Sequence, residues 1–327
     1  MSGNSTCSYI SPAGIPCQEA LESSGQCCFW HDPSIDKHGP PLGDRLEQLA
    51  RSGASLHGLL LKDADLRDVN LVNRGSDTGF DLSYSDLYHA HLNGAHLFNL
   101  KLQGGSLMKA NLSEANLHLC SFENTNLLGI RWGKARIDGM KIGEKISQEF
   151  KAERAYKEKD SPKAIDNFEQ SEEIYRDLRK LAERQGLFEQ AGHFLCKELT
   201  MRRYQFPLYS RRRIQSKLID LFCGYGERPL NVIVFSLLLI LVSALCYFFL
   251  GVSANGEEIG FDTELSLGAN MEYFFNSIYY SVVTFTTLGY GDITPVGASR
   301  FVAALEAFIG SFTLALFVVV FVKKMTR

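Results

Sequence analysis

From Leu56 onward a large apolar residue returns at every fifth position, a period that few backbones can use. Leucine stands at 56, 61, 66 and 71. After a one-residue register slip through NRGSDTG the period resumes at Leu82, Leu87, Leu92, Leu97, Leu102, Leu107, Leu112, Leu117, Phe122, Leu127, Trp132 and Ile137. A helix repeats every 3.6 residues and a strand every two, so neither holds these side chains on one face. A small or apolar residue lies two places before many of them, as at Ala90, Ala95, Ala110, Ala115 and Cys120. Self-similarity on a fixed short period means stacked units that share one continuous core.

The pattern resembles the pentapeptide repeat, A-[DN]-L-x-x. That resemblance implies a right-handed quadrilateral β-helix with one pentapeptide per side, leucines and small residues inward and polar residues in water. We assign it to residues 46–140. Some proteins of this architecture mimic DNA, which needs an acidic surface. Residues 54–139 hold nine acids and eight bases, so no nucleic-acid mimicry or partner is expected. A cytoplasmic ligand, an assembly role and a rigid spacer all stay open.

Almost all the strongly apolar sequence lies beyond this region. Leu230 to Val252 carries no charge, and Phe301 to Val322 carries only Glu306. About 20 apolar residues cross a hydrocarbon core of about 30 Å, so both read as transmembrane helices. Arg202, Arg203, Arg211, Arg212, Arg213, Lys217 and Arg228 precede the first, and Lys323, Lys324 and Arg327 follow the second. Between Gly251 and Ser299 there is no Lys or Arg. The positive-inside rule puts both termini in the cytoplasm and the intervening stretch outside. The start shows no basic stretch followed by an apolar one, so no cleavable signal is expected.

Within that stretch, Met271 to Phe285 is apolar and aromatic but too short to cross a bilayer, as expected of a re-entrant segment. It leads into Thr287-Leu288-Gly289-Tyr290-Gly291-Asp292. This run resembles the potassium-channel signature, in which carbonyl rings replace the hydration shell of the ion. The resemblance implies a potassium-selective channel of the two-transmembrane-helix kind, in the plasma membrane and of bacterial type. Thr287, Leu288, Gly289, Tyr290 and Gly291 would bind potassium. Gly289 and Gly291 suit a backbone that a side chain would obstruct. Tyr290 would brace the filter against the pore helix, with Asp292 and Glu306 as filter support. Glu306 would find Ser281 or Thr284 as partner. Gly310 is either a gating hinge or a close-packing site. One filter strand cannot enclose an ion, so a homotetramer in a lipid bilayer is implied.

Residues 141–209 read as a helical linker, a tetratricopeptide-like hairpin turning at Gly186. Residues 210–229 alternate bases with apolar side chains, as in an interfacial amphipathic helix. The pore domain occupies 230–327. At the other end, residues 1–45 gather Cys7, Cys17, Cys27, Cys28 and His31. In a reducing cytosol such a set favours a metal site or free thiols over disulfides. Cys7, Cys17, Cys28 and His31 suit structural zinc, with Cys27 as the alternative to Cys28.

No nucleophile has an obvious base beside it, so no enzyme is expected. Neither spanning segment carries arginines at three-residue spacing, so no charged voltage-sensing helix is expected. With Arg327 as the last residue, no nucleotide-binding regulatory domain is expected after the pore, and any gating ligand is expected to act through the N-terminal half. The competing reading is a membrane-tethered interaction scaffold, which has no need of Gly289 and Gly291.

Overall fold

Parallel bridges join Asp81 to Lys101, Asp86 to Ser106, His91 to Asn111 and His96 to Asn116, and continue to Ser121 and Lys141. Each pair lies 20 residues apart, so four pentapeptides make one coil and the β-helix has four sides. The chain turns at a residue two places after each inward leucine, with positive φ at Tyr84, His89, Asn99, Lys109, Glu114 and Leu119. The left-handed turns cost backbone energy, which the stacked core offsets. The leucines from Leu82 to Leu117 are at most 2% exposed, and Ala90, Ala95, Ala110 and Ala115 are fully buried.

The slip through NRGSDTG is larger than one residue. Leu60 pairs with Asp86, Asp65 with His91 and Asn70 with His96, each 26 residues apart. Six residues are therefore inserted, one more than a full side, and Arg74 to Thr78 stand exposed at that point. Sequence period sees the remainder after division by five and is blind to the whole side.

The computed structural model describes residues 6–21, 25–254 and 256–326. It divides into two units, Met1–Leu208 and Tyr209–Arg327. In the first, the N-terminal segment, the β-helix and the helices share one core, running from Cys7 through the repeat leucines to Met201. The expected cut between residues 45 and 46 falls inside a helix, α1 (Gly43–Arg51), which buries Leu46, Leu49 and Ala50. The expected linker hairpin is three helices, α2 (Ser147–Lys157), α3 (Ser161–Arg184) and α4 (Phe188–Tyr204). Asp160 caps α3 by accepting from the Lys163 N–H, Pro162 follows in the first turn, and Lys159 takes a positive φ, which together break α2 from α3. Gly186 turns α3 into α4. Gln185 reaches the β-helix, donating to the Ala135 carbonyl at 2.7 Å and accepting from the Ile137 N–H at 3.1 Å.

The second unit opens with α5 (Arg211–Cys223), ended by Gly224 in the left-handed conformation. Ile214, Leu218, Ile219 and Leu221 on it are exposed. Pro229 then starts α6 (Pro229–Leu250). Next come β1 (Val252–Ala254), β2 (Glu257–Ile259), α7 (Leu267–Phe285), β3 (Ile293–Pro295) and α8 (Ser299–Met325). α6 and α8 are long and apolar enough to cross a membrane. α7 is longer than the apolar run because the Ser266 hydroxyl accepts from the Ala269 N–H and starts the helix early. The connections on either side of α7 pair as an antiparallel sheet in the order β2-β1-β3, which the sequence reading did not anticipate. Arg327, one of the orienting bases, lies outside the described residues.

Candidate ion pathway and metal centre

α7 ends at Phe285, and the backbone then alternates: φ is +58° at Thr287, +58° at Gly289 and +82° at Gly291. Alternate left-handed residues turn successive peptide planes, which is how consecutive carbonyls come to share one side of a strand. Glycine takes this geometry freely, whereas Thr287, β-branched, holds it under strain. Leu288 and Tyr290, between them, are 58% and 66% exposed in the single chain, so their side chains are available to something beyond it.

The brace from this segment to α7 is made by Asp292, which accepts from the Tyr279 hydroxyl at 2.9 Å. Tyr290, expected to supply that brace, stands exposed. Glu306, 2% exposed on α8, accepts from Ser281 on α7 and from the Tyr247 hydroxyl on α6 at 2.6 Å. Thr284, the alternative partner, is not among its hydrogen bonds. One carboxyl thus joins all three helices. Tyr247 was missed from sequence because its partner is 59 residues away, on a face that periodicity in a uniformly apolar helix does not mark. Gly310 lies inside the continuous α8, where a Cβ would sit 2.3 Å from the Phe285 carbonyl oxygen. This geometry is that of the close-packing alternative: the end of α7 rests on a bare stretch of α8.

The second site lies in the N-terminal segment. Cys7, Cys17, Cys28 and His31 are all buried, with donor atoms within 4.8 Å of one another. Cys17 and Cys28 sulfurs are 3.9 Å apart, and His31 Nδ1 lies 3.7 Å from Cys7 Sγ and 3.3 Å from Cys28 Sγ. Tetrahedral zinc with ordinary bond lengths requires sulfurs about 3.8 Å apart and nitrogen about 3.5 Å from sulfur. The donor set therefore fits a zinc-sized tetrahedral ion. Cys27, the alternative ligand, points elsewhere, with its sulfur 3.9 Å from Ser8 Oγ.

The surroundings prepare the donors. His31 Nε2 lies 2.9 Å from the His57 carbonyl, which places the proton there and leaves the Nδ1 lone pair facing the sulfurs. Burial holds the imidazole pKa below its ordinary value, so it is neutral, the ligating form. Burial pushes the Cys17 thiol up to about 12 and raises Cys28. Cys7 moves the other way: burial opposes ionisation, but backbone hydrogen bonds from Cys28 and Tyr9 outweigh it. An ion binding here displaces thiol protons, so its affinity falls as pH falls.

Comparison with known proteins divides the chain in the same way. A family model described as ion channel matches residues 235–327. The pentapeptide-repeat model matches residues 78–113 and 90–129. The chain joins an ion-channel domain to pentapeptide repeats. Over 86 residues, 25% of this chain, the sequence is 39% identical to the human voltage-gated potassium channel KCNC3, and the match spans 11% of that channel. It is 37% identical over 60 residues to Protein LctB of Geobacillus stearothermophilus, covering 18% of this chain and 45% of that protein. The chain thus spans less than half the length of either relative. Among solved structures, a pentapeptide repeat protein, Rfr23, from the cyanobacterium Cyanothece 51142 matches 28% of this chain and 60% of its own, at 25% identity and a TM-score of 0.23. The channel match begins within α6, so it takes in β1–β3, α7 and α8 with Thr287–Asp292 between them.

Proposed function

We propose that the protein is a subunit of a potassium-selective channel in the plasma membrane, assembled as a homotetramer with both termini cytoplasmic. One observation carries the reading. The run Thr287–Asp292, with its alternate left-handed residues, follows a helix whose apolar part, Met271–Phe285, is too short to span, and it lies between two helices able to cross a membrane. The potassium channel among the relatives supports the choice of ion. In this reading carbonyls of the Thr287–Gly291 segment receive dehydrated potassium. Asp292 fixes the segment to α7, Glu306 on α8 ties α7 to α6, and Gly310 seats the end of α7. The repeats supply a cytoplasmic docking or gating body, whose ligand is undetermined by residue chemistry. The cluster of Cys7, Cys17, Cys28 and His31 binds structural zinc.

The test is flux. Purified chain in liposomes should pass potassium in preference to sodium and be blocked by barium. Gly289→Ala should abolish that flux while the assembly stays intact, since a methyl group there disturbs only the strand. Undiminished potassium flux in Gly289→Ala would refute the filter assignment. Absence of flux from both the full chain and a version starting near Ser210 would favour the membrane-tethered scaffold instead.

A further inference from the structure

A stacked repeat has an end problem. Each coil presents backbone N–H and carbonyl groups to the next, so the first coil has groups with no coil behind them. Inside the β-helix the pattern is regular. The N–H groups of Asp86, His91 and His96 donate back to the carbonyls of Leu59, Ala64 and Val69 at 2.8–2.9 Å. Leu60, Asp65 and Asn70 hold the equivalent places one coil earlier.

Groups from outside the repeat complete this first edge. The Leu60 N–H donates to the Trp30 carbonyl at 2.9 Å. The Asp65 carbonyl accepts from the Leu42 N–H at 2.9 Å, and the Asn70 N–H donates to Glu47 Oε1 at 2.8 Å. The last two come from α1 and the residue before it. The first comes from the short segment Cys28–His31, whose two ends are donors of the four-residue cluster. Around it, His31 Nε2 bonds the His57 carbonyl at 2.9 Å, and the Tyr9 ring stacks on His31 with centroids 4.0 Å apart. The Tyr9 hydroxyl sits so close to Gly58 that a Cβ there would lie 1.7 Å from it. The cluster segment is thereby laid against His57–Leu60 of the first coil.

We infer that the metal fastens an end cap: by fixing Cys28–His31 it presents the Trp30 carbonyl where a preceding coil would have supplied one. The inference rests on the cluster holding zinc. Without the ion the segment has three buried thiols in place of a cross-link, and the rung at Leu60 loses its anchor. The rungs at Asp65 and Asn70, held through α1, do not depend on the ion. Metal removal should therefore open one side of the first coil and leave the others closed.

Amide hydrogen exchange on the full chain in detergent separates these outcomes, after metal content is measured and with and without a zinc chelator. About one zinc per chain is expected. Chelation should speed exchange in peptides covering residues 57–61 by roughly tenfold or more, leaving those covering 66–71 and 107–117 unchanged. Cys17→Ser should show the same pattern without chelator. A chain that contains no zinc and takes none up overturns the zinc reading itself. Zinc present and removed with 57–61 still protected overturns the cap alone. Loss of protection throughout, including 107–117, also overturns it, because the ion would then be a core element.

Discussion

The contact of Gly310 with Phe285 decides between two uses of a mid-helix glycine. A hinge needs freedom, and a methyl group there would mainly stiffen the helix. A seat needs absence, and a methyl group would strike a carbonyl oxygen at 2.3 Å. Gly310→Ala should therefore destabilise the folded channel domain, by about 1–3 kcal/mol as overpacking does. Thermal melting of the detergent-solubilised chain measures this. Unchanged stability with altered opening would return Gly310 to the hinge. The sequence singled out residues where chemistry restricts the choice, and the structure adds positive φ at Gly289 and Gly291 and the proximity of Cys7, Cys17, Cys28 and His31. Residues were hidden where only partnership defines them. Nothing near Tyr247 or Tyr279 announces Glu306 or Asp292, and the Trp30 backbone carbonyl has no sequence signature at all.

Among elements, the five-residue period excluded helix and strand, and its resemblance to the pentapeptide repeat supplied the four-sided coil. The three-stranded sheet β2-β1-β3 was invisible, since strands of three residues leave no alternation to read. The α2–α3 break had a signal, Asp160-Ser-Pro, which a reading by apolar spacing alone passes over. The joint between α3 and α4 is electrostatic as well as apolar. Glu172 on α3 pairs with Arg202 of α4 at 2.9 Å and accepts from Gln205 just beyond it, while Glu198 on α4 accepts from Arg179 at 2.8 Å. Burial alone would raise the Glu172 pKa, but the bonds from Gln205 and Arg202 outweigh it and hold it below the ordinary 4.5. A carboxylate with a depressed folded pKa stabilises above its unfolded value and loses that contribution as pH falls through the folded one. The α3–α4 pair should then melt at lower temperature as pH is taken below 4.5, and Glu172→Gln should flatten part of that dependence. Asp177, raised by burial, titrates in the opposite sense, so a full curve is needed rather than two points. Circular dichroism melts across pH 3 to 7 supply it; an identical slope in Glu172→Gln would remove the residue from the account.

For the whole molecule, the exposed Leu288 and Tyr290 and the proposed filter, with one strand per chain, call for more copies. Native mass spectrometry of the purified protein should find four times 36.6 kDa, and a stable monomer or dimer would exclude a closed filter. The β2-β1-β3 sheet adds a mechanical property. β3 starts at the residue after Asp292, and β1 starts two residues after α6 ends; the two strands pair Val252 with Pro295 and Ala254 with Ile293. The end of the Thr287–Asp292 run is thus stitched to the stretch just after α6 by a ladder three residues long. In the proposed channel a displacement at the end of α6 would reach the run through this ladder. The run would then have two handles on one door, that ladder and the Tyr279 bond to Asp292.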